Sequence, residues 1–97
     1  MTRSYEALYI VHPELQDEEV TTITEKYKEV VEGQGGEVDS VNRWEKRRLA
    51  YQVKGQREGI YILMTFKGEQ SPVVELDRVF KISEDVMRHL IVRTDDE

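Results

Sequence analysis

No cysteine occurs among the 97 residues. A disulfide framework, a thiol nucleophile and a cysteine-ligated metal are therefore excluded. Histidine is nearly as scarce: His12 precedes Pro13, and His89 stands beside Arg88 in a strand-like run. Neither lies at the spacing of converging ligands, so both read as ordinary strand histidines, and no metal or cofactor is expected. Ser4, Ser40, Ser71 and Ser83 have no oriented base to activate them, and catalysis is not expected. Gly33-Gln34-Gly35-Gly36 follows a helical stripe instead of opening one, so it reads as a helix stop and not a phosphate cradle. No apolar run approaches the roughly 18 residues of a membrane span. The opening Met1-Thr2-Arg3-Ser4-Tyr5-Glu6 has no apolar stretch behind its basic residue. The expectation is a cytoplasmic, unprocessed chain.

What the chain does contain is 38% hydrophobic and 35% charged residues, a balance that suits one small domain over residues 1–97 with a thin core. The apolar residues fall in periodic blocks, which argues against disorder. Residues 5–12 are rich in aromatic and β-branched types and stop at Pro13, the pattern of a strand. Both its alternate sets, Tyr5, Ala7, Tyr9, Val11 and Leu8, Ile10, are apolar, which predicts a central strand.

A helix follows, capped by Gln16 or Asp17, with Glu18 and Glu19 in its first turn where the dipole favours negative charge. Its apolar stripe is Val20, Ile23, Tyr27, Val30 and Val31. Residues 37–54 read as a long polar edge strand, 55–59 as a turn, and 60–66 as a second central strand that forms a hairpin with the edge strand 37–54. Ser71-Pro72 predicts a helix start, with Ser71 as cap and proline first in the helix. Its stripe is Val73, Leu76, Val79 and Phe80. Residues 86–93 alternate as a last strand, and an acidic tail over about 94–97 is expected to fray.

The order β-α-β-β-α-β packs most economically as an α+β, ferredoxin-like split βαβ sandwich. In it, a four-stranded antiparallel sheet carries two helices on one face. Those helices leave the other face open, where Leu8, Ile10, Tyr61 and Leu63 are expected. Such an apolar face is either a docking surface or a set of tolerated surface hydrophobes.

Charge is distributed unevenly. The chain carries −6 overall, yet from Arg43 to Arg57 six basic residues (Arg43, Lys46, Arg47, Arg48, Lys54 and Arg57) stand against the single acid Glu45. Alternation along an extended strand lets two of Lys46, Arg47 and Arg48 share a face. Such a strip suits phosphates, and Trp44 and Tyr51 between the charges suit stacking on bases or on arginine. A solvated edge that resists aggregation, with Trp44 lying over the hydrophobic rim, fits the same residues.

The string Trp44-Glu45-Lys46-Arg47-Arg48-Leu49-Ala50-Tyr51-Gln52-Val53 resembles the signature W-G-x-[KR]-x-L-A-Y-x-[IV] of the bacterial small-subunit ribosomal protein S six (S6) family. Glu45 stands where that pattern has glycine. Tyr5-Glu6, the proline closing the first strand, Gly59-Ile60-Tyr61 and residues 86–92 extend the likeness along nearly the whole chain. The resemblance implies a ferredoxin-like protein that pairs with ribosomal protein S eighteen (S18) and binds the central domain of small-subunit ribosomal RNA with it. RNA contacts are then expected from Arg43, Lys46, Arg47, Arg48, Lys54 and Arg57, and partner contacts from Leu8, Ile10, Tyr51, Tyr61 and Leu63.

Two other readings share this element order. An RNA-recognition motif needs a basic-glycine-aromatic sequence on its third strand, and residues 57–64 lack it. A homodimeric small-molecule-binding or enzymatic domain would dimerise through its sheet and show no salt-sensitive RNA binding.

Overall fold

The strand with two apolar faces, β1 (Arg3–Val11), is hydrogen-bonded on both edges in the computed structural model, which describes residues 2–94. The acidic residues 95–97 lie outside the described residues. Five elements follow: α1 (Asp17–Gly33), β2 (Glu37–Val53), β3 (Gln56–Gly68), α2 (Gln70–Ile82) and β4 (Val86–Arg93). All pairings are antiparallel, in the order β2-β3-β1-β4. This is the expected split βαβ arrangement, with the two apolar strands, β1 and β3, at its centre.

Register decides which side chains meet the helices. Tyr5, Ala7 and Tyr9 stand opposite Phe66, Met64 and Ile62. With Val11 and Ile60 they form the face packed on Val20, Ile23, Tyr27 and Val31 of α1 and Leu76 and Phe80 of α2. The rings of Tyr9, Tyr27 and Phe80 meet with centroids 4.8–5.2 Å apart. Each such ring, fully buried, contributes about 1.5–3 kcal/mol. The Tyr27 hydroxyl donates to Ser83 Oγ at 2.6 Å. The Tyr9 hydroxyl is buried without a hydrogen-bond partner among the described residues; burial first, and the nearby Tyr27 second, push its pKa up.

The helix ends follow from local chemistry. At the start of α1 the N–H of the N-cap Gln16 donates to Glu19 Oε1 at 2.8 Å, so the first-turn acid satisfies an orphan donor as well as the dipole. At its end the N–H groups of Gln34, Gly35 and Gly36 turn back onto the carbonyls of Val31 and Glu32. Gly35 takes a φ of 85° there, as a helix stop requires.

Two expectations change. The N-cap of α2 is Glu69, not Ser71, so Pro72 is the third helical residue and not the first. Proline is tolerated there because N–H groups in the first turn have no helical acceptor anyway. Its buried ring also packs over Gly68, where a side chain would come within 3.0 Å of it. The β2–β3 turn is also shorter than 55–59: it consists of Lys54 and Gly55, with φ of 50° and 81°, between the paired Val53 and Gln56. Two successive positive φ values match the twist of the flanking strands. Residues 56–59 therefore join β3.

Candidate nucleic-acid and partner interface

The six basic candidates all ride on the β2–β3 hairpin, and its register sorts them between two faces. Arg43 stands opposite Ile62, Lys46 opposite Ile60 and Arg48 opposite Glu58, which puts these three on the helix side of the edge strand. Arg47 stands opposite Gly59 on the other side. A register shift between Arg43 and Lys46 sets Trp44 and Glu45 against Tyr61 alone. Such a bulge re-aims side chains. Trp44 consequently lies on the open face, stacked on Tyr61 at 6.1 Å with 14° between the planes. The Arg47 guanidinium sits 5.2 Å from the indole.

The six basic candidates differ in what they touch. Arg43 donates to Asp17 Oδ1 at 2.7 Å, tying the strand to the acidic start of α1. Lys54 Nζ donates to the Val86 carbonyl at 3.3 Å. Arg47 is held by Trp44. Lys46, Arg48 and Arg57 have no ion-pair partner among the described residues and are exposed. Lys46 lines a groove with Leu15, Asp17 and Ile60, and Arg48 faces a second with Pro13 and Arg57. Unpaired exposed cations lose little on meeting a phosphate, because no internal ion pair has to break.

The two aromatic residues between the charges both take arginine. Trp44 holds Arg47, and Tyr51 accepts a hydrogen bond from Arg88, whose guanidinium lies 5.3 Å from the Tyr51 ring centre. Of the two expected uses, stacking on arginine is the one realised in the free chain.

The open face gathers four of the five partner candidates into cross-strand pairs: Leu8 opposite Leu63 and Ile10 opposite Tyr61. The fifth, Tyr51, reaches this face from the hairpin tip. On the other side of β1, Leu8 pairs with Leu90 and Glu6 with Val92. Leu90 is 58% exposed and Val92 40% exposed. Both belong to the same apolar patch and were not among the expected residues. The signal was present in β4, where Arg88, Leu90 and Val92 alternate with His89 and Ile91. Arg88 was likewise missed.

Chemistry elsewhere is structural. His12 Nε2 donates to the Glu84 carbonyl at 3.2 Å, joining the end of β1 to the loop before β4. His89 Nε2 donates to Asp77 Oδ1 at 2.8 Å and packs on Phe80. That hydrogen bond, then the one from Lys81, holds the Asp77 carboxyl below the usual carboxylate range. No group of three or more metal-ligating side chains occurs among the described residues.

Comparison with known proteins matches the geometry to a family. Residues 4–93 match the family described as Ribosomal protein S6. The small ribosomal subunit protein bS6 of Desulforamulus reducens is 52% identical over 91 residues, covering 94% of this chain and 96% of that protein. The bS6 protein of Carboxydothermus hydrogenoformans is 48% identical over 95 residues, covering 98% and 99%. The crystal structure of 30S ribosomal protein S6 from Thermotoga maritima superposes with a TM-score of 0.90 at 27% identity, covering 97% of this chain and 89% of that one.

Proposed function

The chain belongs to the ribosomal protein S6 family, and on that premise we propose that it binds small-subunit ribosomal RNA through its basic hairpin while its open sheet face docks S18. It is a structural, non-enzymatic protein of the small ribosomal subunit in the cytoplasm. The observation that carries the proposal is the juxtaposition of two surfaces. An apolar sheet face without helices ends at a hairpin whose residues 43–57 hold six of the chain's fourteen basic residues.

Each surface suits its role for a physical reason. The remainder of the chain is strongly acidic, so only the hairpin attracts phosphate. Lys46, Arg47, Arg48, Lys54 and Arg57 would each release counterions on neutralising a phosphate, giving a log-log salt slope of about 0.7–0.9 per contact. Arg43 would join them by exchanging Asp17 for a phosphate. On the open face Leu8, Tyr51, Tyr61 and Leu63, with Leu90 and Val92, offer apolar area that only another protein would cover, while Ile10 on the same face is already buried within the chain. A basic partner would add the positive charge that this chain lacks.

Size-exclusion chromatography of the chain with and without S18 tests the pairing directly. A one-to-one complex with S18, disrupted by Leu90→Glu, is the expected result. A homodimer that ignores S18 would replace this reading with a dimeric small-molecule-binding domain.

A further inference from the structure

The tip of the hairpin does not continue the sheet edge. The ladder breaks after Arg48 opposite Glu58 and resumes only at Val53 opposite Gln56. Residues 49–52 therefore face Arg57 alone, and the strand bends. Leu49, Ala50, Tyr51 and Val53 come to line a cleft of about 100 Å³ with Ile10, Tyr61 and Arg88. Two contacts hold the tip from β4: Lys54 on the Val86 carbonyl and Arg88 on Tyr51. Ile10 records the effect, because it points to the open face yet is only 7% exposed, while Leu90 on that face is 58% exposed.

Arg88 has no carboxylate partner among the described residues. Tyr51 fixes its guanidinium beside a hairpin that already bears Arg47, Arg48, Lys54 and Arg57. We propose that the tip is a strap whose closure makes Arg88 part of the hairpin's anion-binding surface, so that a bound phosphate backbone holds the strap shut. The inference rests on the RNA reading above. Closure gathers like charges, a bound polyanion removes their repulsion, and by linkage the polyanion must then favour the closed form. Tyr51 is a positioning residue here: it touches Arg88 and not the phosphate.

The test uses the whole chain without partner and a short oligouridylate across a salt series. Arg88→Gln should weaken binding about 5- to 10-fold and lower the salt slope by about one contact. Tyr51→Ala should cost about 3-fold, and the double variant should be no weaker than Arg88→Gln alone, because Tyr51 acts through Arg88. Unchanged affinity in Arg88→Gln, or fully additive losses, would overturn the inference.

A second readout needs no RNA. Ile10→Cys supplies the chain's only thiol, and its N-ethylmaleimide labelling should accelerate about 5- to 10-fold when Tyr51→Ala releases the strap. Equal rates would sink the strap. Bound oligouridylate should slow labelling about 3-fold with Tyr51 present and much less in Tyr51→Ala; equal slowing in both would sink the coupling. If the oligonucleotide does not bind the chain alone, the coupling falls, the RNA reading is still decided by binding in the presence of S18, and the labelling arm still decides the strap. Should Ile10→Cys not fold, the Ile10 methyl resonance of the otherwise unaltered chain, with and without Tyr51→Ala, gives the same reading.

Discussion

β1 presents two apolar faces that meet different fates. Ala7, Tyr9 and Val11 are fully buried under the helices. Leu8, one residue out of phase, stays partly exposed beside the exposed Leu90. The covered face accounts for the fold, since its side chains supply the burial that offsets chain entropy. The open face is also apolar but carries no helix, and within the chain the hairpin tip covers Ile10 alone of Leu8, Ile10, Tyr61 and Leu63. Hydrophobic patterning alone therefore cannot separate core from interface; topology does, by fixing where the two helices lie.

The sharpest way to break this contrast is to remove one ring from the covered face. Tyr27→Ala should cost about 3–5 kcal/mol in urea unfolding, because the ring is fully buried and its hydroxyl bonds Ser83. A cost near that of a surface change would mean that the helices are not what stabilises the sheet.

On the open face the effects should reverse. Leu90→Glu should leave unfolding free energy within about 1 kcal/mol but weaken S18 pairing by about 2 kcal/mol or more in titration calorimetry. A change confined to stability would make Leu90 a structural residue. The hairpin sharpens the contrast further. Arg47→Glu with Arg48→Glu should leave the melting temperature nearly unchanged while RNA assembly weakens by about 1–2 kcal/mol at low salt. A large drop in melting temperature would assign the pair to the fold.

Much of this architecture was legible in the residues. Apolar strand runs and period-3.6 stripes located β1, β3, β4 and both helices, a long polar stretch located β2, and the two-sided apolarity of β1 and β3 placed them centrally. What escaped were features that depend on one residue's slip or on distant partners. A bulge at Trp44 and Glu45 changes which basic side chains share a face, and no local pattern announces it. The Arg43–Asp17 pair links residues far apart in sequence, so Arg43 looked as free as Lys46. Ser71-Pro72 resembled a helix start because proline suits the whole first turn and not its first position alone. Arg88, Leu90 and Val92 were visible as an alternating set, but only the sheet order brings them beside Ile10 and Leu8.

The smallest effect concerns the covered side of β4. The Asp77 carboxyl titrates below its unfolded value, chiefly through His89 and then Lys81. Its contribution is therefore present above about pH 4 and lost as pH falls through the lower folded value. Solvent reaches this carboxylate, with 39% of its side chain exposed, so the contribution is small. Asp77→Asn should flatten the acid limb of the stability curve slightly and leave RNA binding alone. Acid denaturation scans of both chains read this out.

The most direct measurement is binding to a central-domain fragment of small-subunit ribosomal RNA, with and without S18, across a salt series. The expected result is tight binding in the presence of S18 that weakens steeply with salt, with a shallower slope once Arg47 and Arg48 are reversed in charge. Binding that ignores salt and the hairpin charges, or no binding under either condition, would contradict the division of this sheet into a docking face and an RNA-holding edge.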